Sequence, residues 1–285
     1  MVSISFDSAH EAELFLHICQ YDSGNERLLS HMSRNAGNTV VGLEQQSGLD
    51  ALVPLKRVFF IYIQKEWLPL WLDRIVKESF YYKEQDECDQ IIEIAGMMMM
   101  MENEQTTAFW GRLQQNLEEG LSSILERGVP FSFSAFLAFR EKRILQELMY
   151  FVETAIDEYK MEQEYLNFIH TLRGYMHSVS PKLPRLHVVH KEHFMFYNDS
   201  LQELNRADLV RYTDRRLFSD YPMYIDSNVL APLISIAPEI LSVYSDEENH
   251  PILMTVRRIF EERVEILPLS EFGKNANFQN IADEK

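Results

Sequence analysis

An apolar stripe at helical spacing runs through Phe133, Leu137, Ile144, Leu148, Val152, Ile156 and Tyr159. It continues through Tyr165, Phe168, Ile169 and Leu172 and stops by Pro181. Residues three or four apart share one face of an α-helix, so the stripe predicts one long helix with a single buried side. Such a helix cannot cover that side by itself. The rest of the chain has to be arranged along it, which makes it the expected central support of the fold. Ser132 or Ser134 supplies the N-terminal cap.

Shorter helical patterns precede it. Val58, Ile61 and Tyr62, then Trp67, Leu70, Trp71, Ile75 and Val76, recur at steps of three to five, with Pro69 expected to bend the segment or begin its second half. Glu84–Asn103 reads as a helix that carries Ile91, Ile92, Ile94 and Ala95 ahead of five consecutive methionines, Met97 to Met101. Thioethers can bind a soft metal or form an adaptable partner surface. Five consecutive helical residues point all round the axis, however, so some are expected to face the core and some a neighbour. Core packing is the favoured reading and a partner groove the second. Trp110, Leu113, Leu117 and Leu121 line a further helix closed by Gly128 and Pro130. At the start, Val2–Phe6 alternates like a strand and Ala9–Tyr21 is helical in spacing. Ser23–Gly48 is loop-like, with a brief strand at Thr39–Val41.

After Pro181 the period changes. Leu186–Val189 and Phe194–Tyr197 form a hairpin around His190-Lys191-Glu192-His193, and Asp226 or Ser227 caps a helix that ends before Pro238. Ile240–Tyr244 reads as a strand, Pro251–Glu262 as a helix and Val264–Leu267 as a strand. The predicted fold class is therefore α+β and mainly helical: a helical middle followed by a small mixed α/β C-terminal part, a hairpin and then helix-strand-helix-strand. The expected division is an N-terminal strand-helix and loop region (1–50), a helical domain (51–180), a small α/β domain (181–270) and a flexible tail (271–285).

Charge narrows the partners. The chain of 285 residues has 27 Lys and Arg against 44 Asp and Glu, a formal charge of −17. That balance disfavours nucleic acid and anionic membranes, both of which are bound by basic groups that release counterions. The charge is uneven: residues 84–119 hold nine acids and one base, whereas 182–217 hold seven bases and five acids. The slight excess there, with Arg206, Arg211, Arg215 and Arg216, is a weak nucleic-acid footprint. Only Cys19 and Cys88 are present, which excludes a disulfide framework or a four-cysteine zinc site. No run reaches the ~20 apolar residues of a membrane span, and the N-terminus lacks the basic and apolar pattern of a signal peptide. A soluble, cytoplasmic protein is expected.

Catalytic patterns are missing. No glycine-rich phosphate loop exists, and the linker where one would sit, Ser245-Asp246-Glu247-Glu248-Asn249, would repel phosphate. No G-x-S-x-G elbow occurs, and Cys88 sits among acids that raise its pKa. His187, His190 and His193 form an H-x-x-H-x-x-H series, with His170 and His177 on the helix before it. These are candidate zinc or iron ligands, yet a strand places His187 and His190 on opposite faces, so no metal site is assigned. Arg140 and Arg173 flank the apolar stripe, where they either pair with carboxylates or present an anion site. No catalytic residue and no cofactor follow from the residues.

The segment Gly128-Val129-Pro130-Phe131-Ser132-Phe133-Ser134-Ala135-Phe136-Leu137-Ala138-Phe139-Arg140 resembles the YtxC-like sporulation protein family of endospore-forming bacteria. Support extends through Ala155–Tyr159, Glu164–Ile169, Leu172-Arg173, Leu186–Val189 and Leu233–Pro238, and the resemblance covers most of residues 50–267. It implies a cytoplasmic, sporulation-associated protein and brings no catalytic residues. The expected function is non-catalytic action through contacts with an unidentified protein partner, with no nucleic acid or membrane. The alternative is a metal-assisted hydrolase that uses the His187, His190 and His193 region.

Overall fold

The computed structural model describes residues 2–21, 32–34, 39–43, 48–214, 228–247 and 249–272. The protein is mostly helical, and it divides into two units, residues 1–160 and 161–285. The expected cap at Asp226 or Ser227, and the tail beyond residue 272, lie outside the described residues.

In the first unit a four-stranded sheet has the order β2 (Met32–Arg34), β3 (Val40–Leu43), β1 (Val2–Ser5), β4 (Phe131–Ser132). β1 runs antiparallel to β3, with Ile4 opposite Val41, and parallel to β4, with Ile4 opposite Phe131. α1 (Ala9–Tyr21) begins where Ser8 Oγ accepts a hydrogen bond from the Glu11 amide at 3.1 Å. It buries Ala12, Phe15, Ile18 and Cys19. Burial pushes the Cys19 thiol pKa up to about 12, so this cysteine is a core residue and a poor nucleophile.

α2 (Gly48–Tyr62) leads through a wide five-residue turn, Ile63–Trp67, into α3 (Leu68–Arg74), which has Pro69 in its first turn. Proline has no amide hydrogen to continue the usual ladder. The Leu68 amide bonds to Ile63 O, five residues back, so the ladder widens just before the proline. α4 (Gln85–Met100) and α5 (Glu104–Arg127) follow. Gly128 then adopts a left-handed φ of 66°, which ends α5 and turns the chain towards β4.

α6 (Phe133–Ser178) is the long helix expected from the stripe. Ser132 Oγ accepts from the Ala135 amide at 3.2 Å and caps its N-terminus. Phe133, fully buried, lies in an aromatic cluster: 5.2 Å from the Phe59 ring, 5.2 Å from Tyr62 and 5.7 Å from Phe6. Glu141 on the same helix accepts from the Trp71 indole at 3.1 Å and from Arg74 at 2.9 Å. Leu137, Ile144, Leu148, Val152 and Ile156 complete the stripe in this unit's core.

In the second unit the rest of the stripe, Phe168, Ile169 and Leu172 with Tyr165 packed against them, joins Met176 in a separate core. This core lies against a five-stranded sheet of order β7 (Glu203–Leu204), β6 (Phe194–Asn198), β5 (Arg185–His190), β8 (Ile240–Tyr244), β9 (Val264–Leu267). β5 is antiparallel to β6, whereas β5, β8 and β9 run parallel. Besides the C-terminal part of α6, the described residues of this unit include the helices α7 (Arg206–Tyr212), α8 (Leu230–Ile236) and α9 (Pro251–Phe260).

Replacing Phe133 with alanine should cost about 3–5 kcal/mol, because the cluster cannot close over the lost ring. Phe139→Ala, at a position 90 % exposed on the same helix, should change stability by no more than about 0.5 kcal/mol. Urea denaturation of both variants checks this pair. Equal effects would contradict the aromatic cluster as the anchor of α6.

Candidate functional site

β5 and β8 pair in parallel, from Arg185 opposite Ile240 to Val189 opposite Tyr244. Alternation along β5 sends Leu186 and Val188 into the core and His187 to the other face. His190 ends the strand on the Leu186 side, next to Ser245 at the end of β8. Because β5, β8 and β9 are parallel, all three release the chain at one edge of the sheet. In open α/β sheets this edge is where ligands bind.

At that edge His190 Nδ1 and Ser245 Oγ share a hydrogen bond of 3.0 Å, and Ser245 Oγ also accepts from the Glu247 amide at 3.0 Å. The His190 ring stacks on Phe194 at 4.3 Å and lies 4.5 Å from the His250 ring. His250 caps α9, where its Nδ1 accepts from the Ile252 amide at 3.3 Å. Pro251 occupies the first helical position, which has no amide to satisfy. One ligand atom each from His190, Glu247 and His250 falls within 4.8 Å of the others. His190 is buried, His250 half-buried and Glu247 exposed, so the cluster opens to solvent on one side. Burial holds the His190 pKa below its ordinary value, His250 lowers it further, and Glu247 opposes them. The imidazole is therefore neutral at neutral pH, the form that can donate a lone pair.

The other face of the sheet carries a separate polar array. His187 Nδ1 and the Tyr244 hydroxyl share a hydrogen bond of 3.0 Å, and the two rings stack at 5.8 Å. Arg185 donates to Ser242 Oγ and Glu265 Oε1, each at 3.2 Å, and Ser242 donates to Glu265 at 2.6 Å. Burial depresses the His187 pKa, Arg185 adds to the effect, and Asp199 and Glu265 oppose it.

The histidine series of the sequence is thus dispersed. His187 lies across the sheet from His190, and His193 is exposed in the hairpin loop, where its carbonyl accepts from the Lys191 amide. His170 and His177 are exposed on α6. The structure gathers Glu247 and His250 around His190 instead. Their E-x-x-H spacing just before a Pro-initiated helix was the available signal in the sequence.

The two arginines flanking the stripe differ. Arg140 lies 3.9 Å above the Phe136 ring, donates to Phe136 O at 2.9 Å and has a buried Nε with no hydrogen-bond partner. Its guanidinium fills the space beside Gly120, where an added Cβ would collide with it. Burial lowers its pKa. No carboxylate pairs with it among the described residues. Arg173 donates through Nε and Nη2 to Arg258 O and pairs with Glu261 at 2.8 Å, which closes the C-terminal end of α9. Cys88 is buried, and burial, ahead of its acidic neighbours, raises its pKa. Arg206 and Arg211 lie on α7, whereas Arg215 and Arg216 fall outside the described residues.

Comparison with known proteins places this architecture. The model of the YtxC-like family matches residues 54–265, most of the chain and both units. The chain belongs to the YtxC-like family. The Bacillus subtilis (strain 168) protein entitled "Uncharacterized protein YtxC" is 34 % identical over 279 residues, which cover 95 % of this chain and 96 % of that one. No solved structure matches. No described helix of this YtxC-like protein is long and apolar enough to cross a membrane.

The His187 environment has a pH consequence. A histidine with a depressed folded pKa binds its proton more readily when unfolded, so it stabilises the fold fully above about pH 6.5 and loses that stabilisation as pH falls towards the folded pKa. Unfolding free energy should therefore decline from about pH 6.5 downwards. His187→Gln should flatten that decline by up to one proton's worth of slope, as measured by urea titrations at a series of pH values. An unchanged slope would contradict the burial of a neutral His187.

Proposed function

We propose that this protein is a non-catalytic, sporulation-associated cytoplasmic protein that acts through protein contacts, with the exposed face of α4 as its contact surface. The observation that carries the reading is what this helix leaves uncovered. α4 buries Cys88, Ile91, Ala95 and Met99 on one side. Asp86, Asp89, Glu93, Met97 and Met100 follow on the opposite side at steps of three or four, and all are exposed. Met97 is 52 % exposed, Met100 84 % and Met101, which ends the helix, 60 %. Glu102 and Glu104 extend the acidic border. None of these five carboxylates forms an ion pair among the described residues.

Unbranched thioether side chains adapt to irregular apolar surfaces and recur at binding faces that accept a helix. Carboxylates on the same stripe select a partner of opposite charge and speed its encounter. The occupant of this surface is therefore a basic amphipathic helix from another protein. The link to sporulation rests on the resemblance of the Gly128–Arg140 segment alone.

A synthetic Lys- and Leu-rich amphipathic peptide, titrated against the full chain and followed by fluorescence anisotropy, tests the surface. Reversal of Asp86, Asp89 and Glu93 to lysine should weaken binding about tenfold or more, equivalent to about 1.4 kcal/mol. Met97→Ala with Met100→Ala should weaken it too, although no charge changes. Reversal of Glu153, Glu158 and Glu162, exposed on α6, serves as the charge-matched control and should have the smaller effect. Equal losses in both reversals, with no loss in the methionine variant, would reduce the interaction to net charge and remove the proposal. Immunodetection through a sporulation time course tests the cellular assignment: it predicts accumulation after the onset of sporulation, and a level confined to vegetative growth would contradict it.

A further inference from the structure

We propose that His190, Glu247 and His250 form a binding site for a divalent transition metal of the zinc class, at the edge where β5 and β8 release the chain. The proposal is independent of the contact surface on α4. Two imidazoles and one carboxylate are a recurrent zinc ligand set when the remaining coordination position is left to water or substrate. The spacing also fits. Zinc–ligand bonds of about 2.0–2.1 Å in a tetrahedron separate the ligand atoms by about 3.3 Å. The three ligand atoms here already lie within 4.8 Å of one another, so a modest inward turn of exposed Glu247 and half-buried His250 completes the set.

Fixed surroundings orient the most buried ligand. Ser245 Oγ accepts from the Glu247 amide at 3.0 Å and can accept a second hydrogen bond from His190 Nδ1–H. In that tautomer Nε2 keeps its lone pair for a metal, the arrangement by which a metal-binding histidine is held through its other nitrogen. Stacking on Phe194 at 4.3 Å holds the ring plane. His250 is less constrained: its bond from the Ile252 amide, at 3.3 Å, is long for an N–H donor. Binding through Nε2 requires His250 Nδ1 to give up that acceptor role, so metal binding and helix capping compete for this ring. The amino end of α9 opposes a cation, and the Glu247 carboxylate offsets that field.

The experiment uses the full, tag-free chain stripped with a chelator, titrated calorimetrically with zinc chloride and followed with cobalt(II) by visible absorption. One zinc per chain should bind, and the cobalt form should show the intense absorption bands of tetrahedral coordination. Glu247→Gln, at an exposed side chain that does not threaten folding, should weaken zinc binding at least tenfold. His250→Ala should do the same, Ser245→Ala should cost about tenfold through His190, and His193→Ala should change nothing. Zinc should raise the Tm of the unaltered chain and not that of Glu247→Gln. Absence of saturable one-to-one binding would overturn the proposal, as would a Glu247→Gln protein that binds zinc as tightly as the unaltered chain.

Discussion

The parallel register between β5 and β8 is the constraint on which the C-terminal unit depends. With Val189 opposite Tyr244, His187 faces the Tyr244 hydroxyl on one side of the sheet, while His190 passes the last pair and reaches Ser245 at the edge. A slip of one residue would exchange the two faces and bring His187 and Arg185 into the apolar core. The same parallel direction brings the 245–250 linker out beside the end of β5. Glu247 and His250 meet His190 for that reason, although nearly 60 residues separate them in sequence.

The N-terminal unit depends on a different economy of surface. Its aromatic cluster around Phe133 and the stripe of α6 supply large buried side chains, and α4 adds Cys88, Ile91, Ala95 and Met99 to the core, with Ile92, Ile94 and Met98 packed against it. The methionine run shows how sharply the helical period sorts identical side chains. Met99 is buried, while Met97 and Met100 are exposed among carboxylates. An acidic surface is ordinarily only a solvated one; its combination with large exposed apolar side chains at helical spacing is the observation that supports the contact surface proposed for this face.

Period explains what could be read from the residues. α6, β8, α9 and β9 were legible because each carries a sustained apolar pattern bounded by a cap, a proline or a linker. β4 and β7 were not, since a strand of two residues exists only through its pairing partner. α7 lacks an apolar stripe, and its one local signal was the reciprocal cap between Asn205 and Asp208. The widened turns on either side of α3, Ile63–Trp67 before it and Ile75–Ser79 after it, leave no pattern at all beyond Pro69. For the site, alternation along β5 already separated His187 from His190. The E-x-x-H spacing marked Glu247 and His250 as a pair, but their convergence on His190 was illegible because it arises from parallel pairing of distant strands. Arg140 was likewise readable as a charge beside the stripe, but its contact with the Phe136 ring depends on how α6 packs.

The strand register brings His190, Glu247 and His250 together although the sequence keeps His190 far from the other two, and the proposed cation site stands on that convergence. A crystal structure of the full chain grown with zinc, with anomalous data collected at the zinc edge, tests it most directly. One strong peak is expected at about 2.0–2.2 Å from the His190 and His250 ring nitrogens and a Glu247 carboxylate oxygen. A peak on His187, on His193 or on exposed carboxylates alone, or none near His190, would contradict it.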